Sequence, residues 1–320
     1  MKARAAVIDG YDGVGVVRVD EVAVPAPGRE EVRVAVAAAA IGPWDLLTTE
    51  GAFAALLDEA EVSASFPMVL GWDLAGVIED AGADSDLAPG TRVLAMTRQP
   101  LTGVGAHAEQ VTLPCELCVP IPDGVSEFEA ATIPCCALTA WQALEHAALS
   151  DAGDSLLVIG ATGQLGGFVT QIAASRGHRV IASVAADAAG EARALGATEV
   201  VDRAGDVAAQ VRRLLPDGVS AAFDPVGGNA TPQAIAAIHD GGTHVRAVTW
   251  APPAAERGIT THTMFVEDDR DALGRLAAML AEGSITARVA EVIPLTHAHE
   301  AYEAVARGAS GGKHVLDPTR

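Results

Sequence analysis

Leu156-Leu157-Val158-Ile159-Gly160-Ala161-Thr162-Gly163-Gln164-Leu165-Gly166 decides the fold of this 320-residue chain. Four apolar residues run into three glycines spaced G-x-x-G-x-x-G, and a stretch with helical periodicity follows over about 165–176. A short apolar run bounded by glycine reads as a buried strand, and the pattern after it reads as an amphipathic helix. Glycine suits such a turn because the dihedrals are unusual, because backbone N–H groups must approach a pyrophosphate, and because the helix packs close to the strand. A pyrophosphate there would rest on the helix N-terminus, where unpaired N–H groups and the macrodipole supply positive potential. The stretch therefore predicts a dinucleotide phosphate loop, with Gly160, Thr162, Gly163, Gln164, Leu165 and Gly166 as candidate cofactor contacts.

Working outward, strands are expected at Arg179 to Val184, Glu199 to Val201, Ala221 to Phe223 and Thr243 to Val248. Helices are expected at about 187–195, 206–215 and 230–238. Such alternation predicts a parallel, doubly wound sheet. A helical segment through Leu138 to Ala148 leads into it. Residues 1 to about 125 read differently, as short runs rich in Val, Ile, Leu and Thr at Val14 to Val19, Glu31 to Val36, Val69 to Glu79, Thr91 to Met96 and Ala108 to Leu113. Turns such as Pro25-Ala26-Pro27-Gly28 and Pro89-Gly90 separate them. Beyond about 265, helical stretches at 268–282 and 297–307 flank a strand around Ala290 to Ile293, and a short strand, Lys313 to Leu316, follows. The fold class is α/β, with a β-rich module beside the wound sheet, and the length admits two domains.

A unit of this kind that takes NAD usually places Asp or Glu at the end of its second strand, about 20 residues past the loop. Here that strand ends Ala182-Ser183-Val184-Ala185-Ala186, and no acid follows until Asp187. A hydroxyl in that place leaves room for a 2′-phosphate, so NADPH is the expected cofactor, with Ser183 and Arg203 beside that phosphate. The 42 acidic and 21 basic residues leave a formal charge of −21. That field repels polyanions, so nucleic acid and anionic membrane are not expected partners, and a dinucleotide must be held by backbone dipoles more than by side-chain cations. No apolar stretch is long enough to span a membrane and no signal-peptide pattern opens the chain, so a cytoplasmic location is expected. Cys115, Cys118, Cys135 and Cys136 read as free thiols, because Cys115-x-x-Cys118 has no second pair at zinc-site spacing.

Longer signatures run the length of the chain: Glu21-Val-Ala-Val-Pro25-Ala-Pro-Gly28, Ala40-Ile-Gly-Pro-Trp-Asp45, Pro67-Met-Val-Leu-Gly-Trp-Asp73-Leu-Ala-Gly-Val77, Gly90-Thr-Arg-Val93 and Ala106-His-Ala-Glu109. Leu138-Thr-Ala-Trp-Gln-Ala-Leu144, the glycine loop, Ala194-Leu-Gly-Ala197, Asp224-Pro-Val-Gly-Gly228 and Gly312-Lys313 continue the series. In this order the chain resembles, end to end, the zeta-crystallin-like quinone oxidoreductase branch of the medium-chain dehydrogenase/reductase family. The resemblance implies a GroES-like catalytic domain built from residues 1–125 and 266–320, with a Rossmann NADP-binding domain, 126–265, inserted in it. It implies hydride transfer from NADPH to a quinone or an α,β-unsaturated carbonyl. Alternatives within it are a pathway-specific enoyl reductase of polyketide-type secondary metabolism and a non-catalytic NADPH-binding protein.

The resemblance also implies the absence of zinc. Zinc-dependent relatives place Cys where this chain has Gly42 and a His-Glu pair where it has Trp72-Asp73; glycine and tryptophan do not ligate zinc. Quinone oxidoreductases commonly carry Asn at Gly42, and many relatives carry a Tyr eight residues after the Asp that is Asp45 here, which falls on Phe53. His107 is the expected substitute proton donor, placed at the rim of the cleft and titrating near neutrality. Trp44, Phe53 and Trp72 are expected to wall the substrate pocket. By the same resemblance Thr139 contacts the cofactor, Val226 and Val248-Thr249 border the nicotinamide ribose, and Met264-Phe265-Val266 offers backbone to the carboxamide. Lys313 neighbours the cofactor cleft. A homodimer is expected through Thr243 to Val248 as a sheet edge.

Overall fold

The computed structural model describes residues 1–54, 65–150, 153–247, 256–308 and 311–320. Along the chain come β1 (Lys2–Ile8), β2 (Arg18–Ala23), β3 (Glu31–Ile41), α1 (Pro43–Thr49), β4 (Met68–Val69), β5 (Asp73–Ala81), β6 (Arg92–Met96), α2 (Gln99–Thr102), β7 (Gln110–Pro114) and β8 (Cys118–Pro120). After α3 (Glu127–Ala130) and α4 (Pro134–His146), strands and helices alternate as β9 (Ser155–Ile159), α5 (Gln164–Ser175), β10 (Arg179–Val184), α6 (Ala189–Ala194), β11 (Glu199–Asp202), α7 (Val207–Leu214), β12 (Val219–Asp224) and α8 (Ala230–Ala237). Then follow β13 (Ile238–Arg246), β14 (Thr260–Thr263), α9 (Arg270–Ala281), β15 (Val289–Pro294), α10 (Ala298–Ala306) and β16 (Lys313–Asp317). Among the described residues no helix is long and apolar enough to cross a membrane.

The chain divides into two compact units. One comprises Met1–Cys135, Asp268–Glu282 and Thr286–Arg320, and the other Cys136–Glu267 with Gly283–Ile285. In the first, the main sheet has the order β15-β16-β3-β5-β6-β8, with β7 also paired to β3, and β2-β1-β4 forms a smaller sheet. β3 is the spine. Its first half alternates half-buried with buried side chains and its last four residues are all buried, so Val32, Val34 and Val36 feed one core with Leu74, Ile78 and Val93. Burying each such side chain stabilises the sheet by about 1.5–3 kcal/mol. Register then fixes the site: Ala40 lies opposite Asp73, and Ile41 opposite His314, so the residues around Gly42, Asp73 and Lys313 meet at one end of three paired strands. Residues 126–135 belong to this unit. Glu127 of α3 pairs with Arg92 at 2.7 Å, and α3 packs on β3 and β5.

The second unit is a six-stranded, all-parallel sheet in the order β11-β10-β9-β12-β13-β14. Counted from β9 this is 3-2-1-4-5-6, the Rossmann arrangement. Leu157, Ile181, Val201, Ala222 and Ile235 share one buried core in it.

Three expectations shift. Val14 to Val19 is not a strand: Val14–Val16 forms a single 3₁₀ turn after Gly13, whose φ is +79°, and β2 begins only at Arg18. The run expected from Val69 to Glu79 is broken between β4 and β5, at Gly71, whose φ is +103°. The strand expected at Thr243 to Val248 runs Ile238–Arg246 and is no edge, because β14 pairs with it along Thr243 to Arg246 and becomes the outermost described strand on that side.

Candidate functional site

In the Rossmann unit the phosphate loop joins β9 to α5. Gly163 is the residue before the helix, its N–H donates to the Gly160 carbonyl at 2.8 Å, and Gln164 and Leu165 open the first turn. Gly166 marks the closest approach: a Cβ there would lie 2.3 Å from the Gly160 carbonyl oxygen, so only glycine lets the helix start this near the loop. Nearby, a cavity of about 200 Å3 is lined by Gly160, Ser183, Arg203, Val226, Asn229 and Gln233 among others, none of them acidic. Ser183 is 1% exposed, and its Oγ has no hydrogen-bond partner among the described residues. A buried hydroxyl without a partner is uncommon and marks a place for an acceptor.

Asp224, at the end of β12, shapes the loop on the far side of that cavity. Its Oδ1 accepts the N–H groups of Val226 (3.0 Å) and Gly227 (2.8 Å), and its Oδ2 accepts the Thr231 hydroxyl at 2.6 Å. Burial pushes this carboxyl up, but the His244 ring 3.9 Å away, Thr231 and the two amides outweigh burial and hold it below the usual carboxylate range. The turn leaves Val226 exposed beside Gly160. Thr139 lies buried on α4, within the same unit. Met264-Phe265-Val266 follows β14 without strand structure; the Met264 N–H donates to the Arg246 carbonyl at 2.7 Å and Phe265 is exposed. Val248 and Thr249 lie outside the described residues.

In the first unit, Trp44, Phe53 and Trp72 do come together. The Trp44 and Trp72 ring centroids are 6.4 Å apart, and those of Phe53 and Trp72 are 5.2 Å apart. Gly42 precedes α1, and its N–H donates to Asp45 Oδ2 at 2.7 Å. A Cβ on residue 42 would lie 2.3 Å from the Trp44 indole, so the indole occupies the space that a side chain at 42 would need. Burial and the nearby Asp73 push the Asp45 carboxyl well above its ordinary range. Asp73 accepts the Cys135 N–H at 2.7 Å through Oδ1 and forms a short ion pair with Lys313 through Oδ2. Burial pushes the Asp73 carboxyl up, against the pull of Lys313.

Lys313 is 4% exposed and paired with Asp73, with its ammonium 4.5 Å above the Trp44 ring. One expectation is corrected here. His107 does not lie at a rim. It is fully buried, with Nδ1 2.8 Å from the Tyr302 hydroxyl and Nε2 3.2 Å from the Ala40 carbonyl. Burial pushes its pKa down to about 4, against the hydrogen bond to Ala40 and helped by Lys313, so it does not titrate near neutrality.

A pH dependence follows from that depression. Between pH 6.5 and 4 the unfolded imidazole takes up a proton that the folded one refuses, so stability present above pH 6.5 is lost as pH falls toward 4. The loss is on the order of 3 kcal/mol. Urea midpoints measured from pH 7 to 4 should fall more steeply for the wild type than for His107→Asn, and parallel curves would refute this assignment.

Sequence reading missed Asn229 and Gln233 in the cavity, Asp224 as its organiser, and Tyr302 as the partner of His107. Asp224 carried a signal, since Asp followed by Pro-Val-Gly-Gly at a strand end is a turn in which the carboxylate accepts backbone amides. Tyr302 carried none, being 195 residues from His107.

Residues 28–123 match the family described as the alcohol dehydrogenase GroES-like domain, and residues 195–316 the family described as zinc-binding dehydrogenase. Together the two domains place the chain in the medium-chain dehydrogenase/reductase family. It is 28% identical over 243 residues to the synaptic vesicle membrane protein VAT-1 homolog-like of Mus musculus, an alignment that takes in 76% of this chain and 55% of that one. The chain thus spans about half the length of that relative. With NAD(P)H oxidoreductase RTN4IP1, mitochondrial, of Mus musculus it shares 29% identity over 327 residues, 90% of this chain and 81% of the relative. The crystal structure of a quinone oxidoreductase from Pseudomonas syringae pv. Tomato DC3000 superimposes with a TM-score of 0.84 at 25% identity, over 99% of this chain and 100% of that one.

Proposed function

We propose that this protein is an oxidoreductase that passes hydride from NADPH to a quinone or an α,β-unsaturated carbonyl compound without zinc. The cavity in the Rossmann unit carries the cofactor half of this reading, because the buried Ser183 hydroxyl and the Arg203 side chain line it and no carboxylate does. A 2′-phosphate finds donors there rather than repulsion. Residues Gly160 to Gly166 and the first turn of α5 would hold the pyrophosphate. When bound, NADPH supplies a hydride equivalent; the protein contributes binding and orientation. The names of the relatives, NAD(P)H oxidoreductase and quinone oxidoreductase, point the same way.

Zinc does not fit the donor set. Gly42 has no side chain, the Trp44 ring fills the space beside it, and the one carboxylate in the zinc-relative positions, Asp73, is engaged by Lys313. An acceptor that delocalises the incoming charge over its own conjugated oxygen needs no Lewis acid. A homodimer through β14 and a cytoplasmic location belong to the same proposal.

The test has two arms. Fluorescence titration should give tighter binding of NADPH than of NADH, and Ser183→Asp should weaken NADPH at least about 10-fold by setting a carboxylate against the phosphate. NADPH oxidation should be accelerated by benzoquinone, phenanthrenequinone or simple enones. Tighter NADH binding would overturn the cofactor assignment, and no turnover across the panel would overturn the reaction.

A further inference from the structure

We propose that the indole N–H groups of Trp44 and Trp72 are the hydrogen-bond donors to the carbonyl oxygen of the acceptor, which is therefore a planar, conjugated ketone, enone or quinone. This rests on the reductase reading above. Both Nε1 atoms are buried, and neither has a hydrogen-bond partner among the described residues. An indole N–H is a donor only, and a buried one ordinarily finds an acceptor, so each is a desolvated donor left unmade. A single orphan would be a packing compromise. Two on neighbouring rings, with centroids 6.4 Å apart and planes tilted by 53°, put both unmade donors in one aromatic cluster, within the span of a single flat ligand.

The surroundings prepare these donors. The Lys313 ammonium lies 4.5 Å above the Trp44 ring, a cation–π contact that draws electron density from the indole and makes its N–H a stronger donor. Lys313 is held by Asp73, the residue next to Trp72 in the chain, so one buried ion pair anchors both tryptophans. Residue 42 is glycine because any side chain there would meet the Trp44 indole. Gly42 and the absence of a phenol at Phe53 thus belong to one arrangement in which indole donors replace other electrophiles.

A carbonyl oxygen would supply the acceptor that these donors lack, and the flat faces of Trp44, Trp72 and Phe53 suit a planar conjugated body. When the acceptor carbon takes up a hydride with its two electrons, a π pair shifts onto the carbonyl oxygen, which then takes a proton from water. The reduced nicotinamide of the proposed activity is the source of those electrons. Charge grows on the oxygen during the step, so the two N–H bonds strengthen as the transition state is approached.

Fluorenone and fluorene, planar probes that differ in the carbonyl, test this by isothermal titration without any turnover. The wild type should prefer fluorenone over fluorene at least about 10-fold, and Trp44→Phe and Trp72→Phe should each remove most of that preference, read as the ratio of the two affinities in the same variant. The infrared carbonyl stretch of bound fluorenone should lie lower in the wild type than in either variant, a shift that general loss of packing would not give. Equal binding of the two probes by the wild type, or a preference and stretch that survive both substitutions, would overturn the proposal. A fluorenone preference without NADPH-dependent turnover would remove the reductase reading and keep the donor pair; turnover without the preference would do the reverse.

Discussion

Gly166→Val is expected to weaken NADPH binding at least about 100-fold, a loss of about 2.7 kcal/mol. A Cβ at 166 would lie 2.3 Å from the Gly160 carbonyl oxygen, 3.0 Å from its carbon and 3.2 Å from the Ala161 Cα. All three are backbone atoms of the phosphate loop, so no side chain can rotate aside. Relief requires α5 to retreat from β9, which carries the first-turn N–H groups away from the pyrophosphate they would hold. Gly190→Ala, on α6 with no atom within 4 Å of the added methyl, is the matched control and should bind normally. Fluorescence titration with NADPH reads both. Affinity within 3-fold of wild type in Gly166→Val would mean that this loop does not hold the dinucleotide.

Lys313→Met is expected to cost about 3–5 kcal/mol and to lower the apparent melting temperature by roughly 10 °C. Asp73 is fully buried and Lys313 is 4% exposed, so removing the cation alone strands a carboxylate that keeps the hydrogen bond from the Cys135 N–H but loses its counter-charge. Removing both charges is far milder: Asp73→Asn with Lys313→Met should recover most of the loss, because the cost lies in the uncompensated charge more than in the lost pair. Urea unfolding of the two single variants and the double variant measures the coupling directly. Additive losses would show that the two groups act independently despite their contact.

Features set by neighbours in sequence were legible, and those set by distant strands were not. The loop from Leu156 to Gly166 announced a strand, a turn and a helix because all three are consecutive, and β9 and α5 begin within a residue of where the pattern put them. Ser183 was found for the same reason, standing at the end of the next strand with Arg203 after the one beyond, and both line one cavity. Trp44, Phe53 and Trp72 were grouped as one wall, and their rings do meet. Gly42 was visible as a departure from the family, but its cause lies in the space claimed by Trp44 two residues on. His107 and Lys313 went the other way. Their partners, Tyr302 and Asp73, are 195 and 240 residues away, and nothing local in a lone His or Lys tells a solvated group from one sealed in a core. The edge of the Rossmann sheet was misassigned because Thr260–Thr263 is too short and too polar a run to read as a strand until it is seen paired with β13.

β16 lies between β15 and β3 in its sheet, and it brings Lys313 to Asp73. During synthesis, then, the order of completion inverts the order of sequence. Nearly all of the Rossmann unit is one continuous stretch, Cys136–Glu267, that can close once translated, whereas the other unit must wait with the Ala39–Ile41 end of β3 unpaired on one side and the Asp73 carboxylate without its cation. Because Lys313 follows Glu267 in the chain, the ribosome supplies the cation of this buried pair only after the continuous Rossmann stretch is out, so the parallel sheet can be complete while Asp73 still waits.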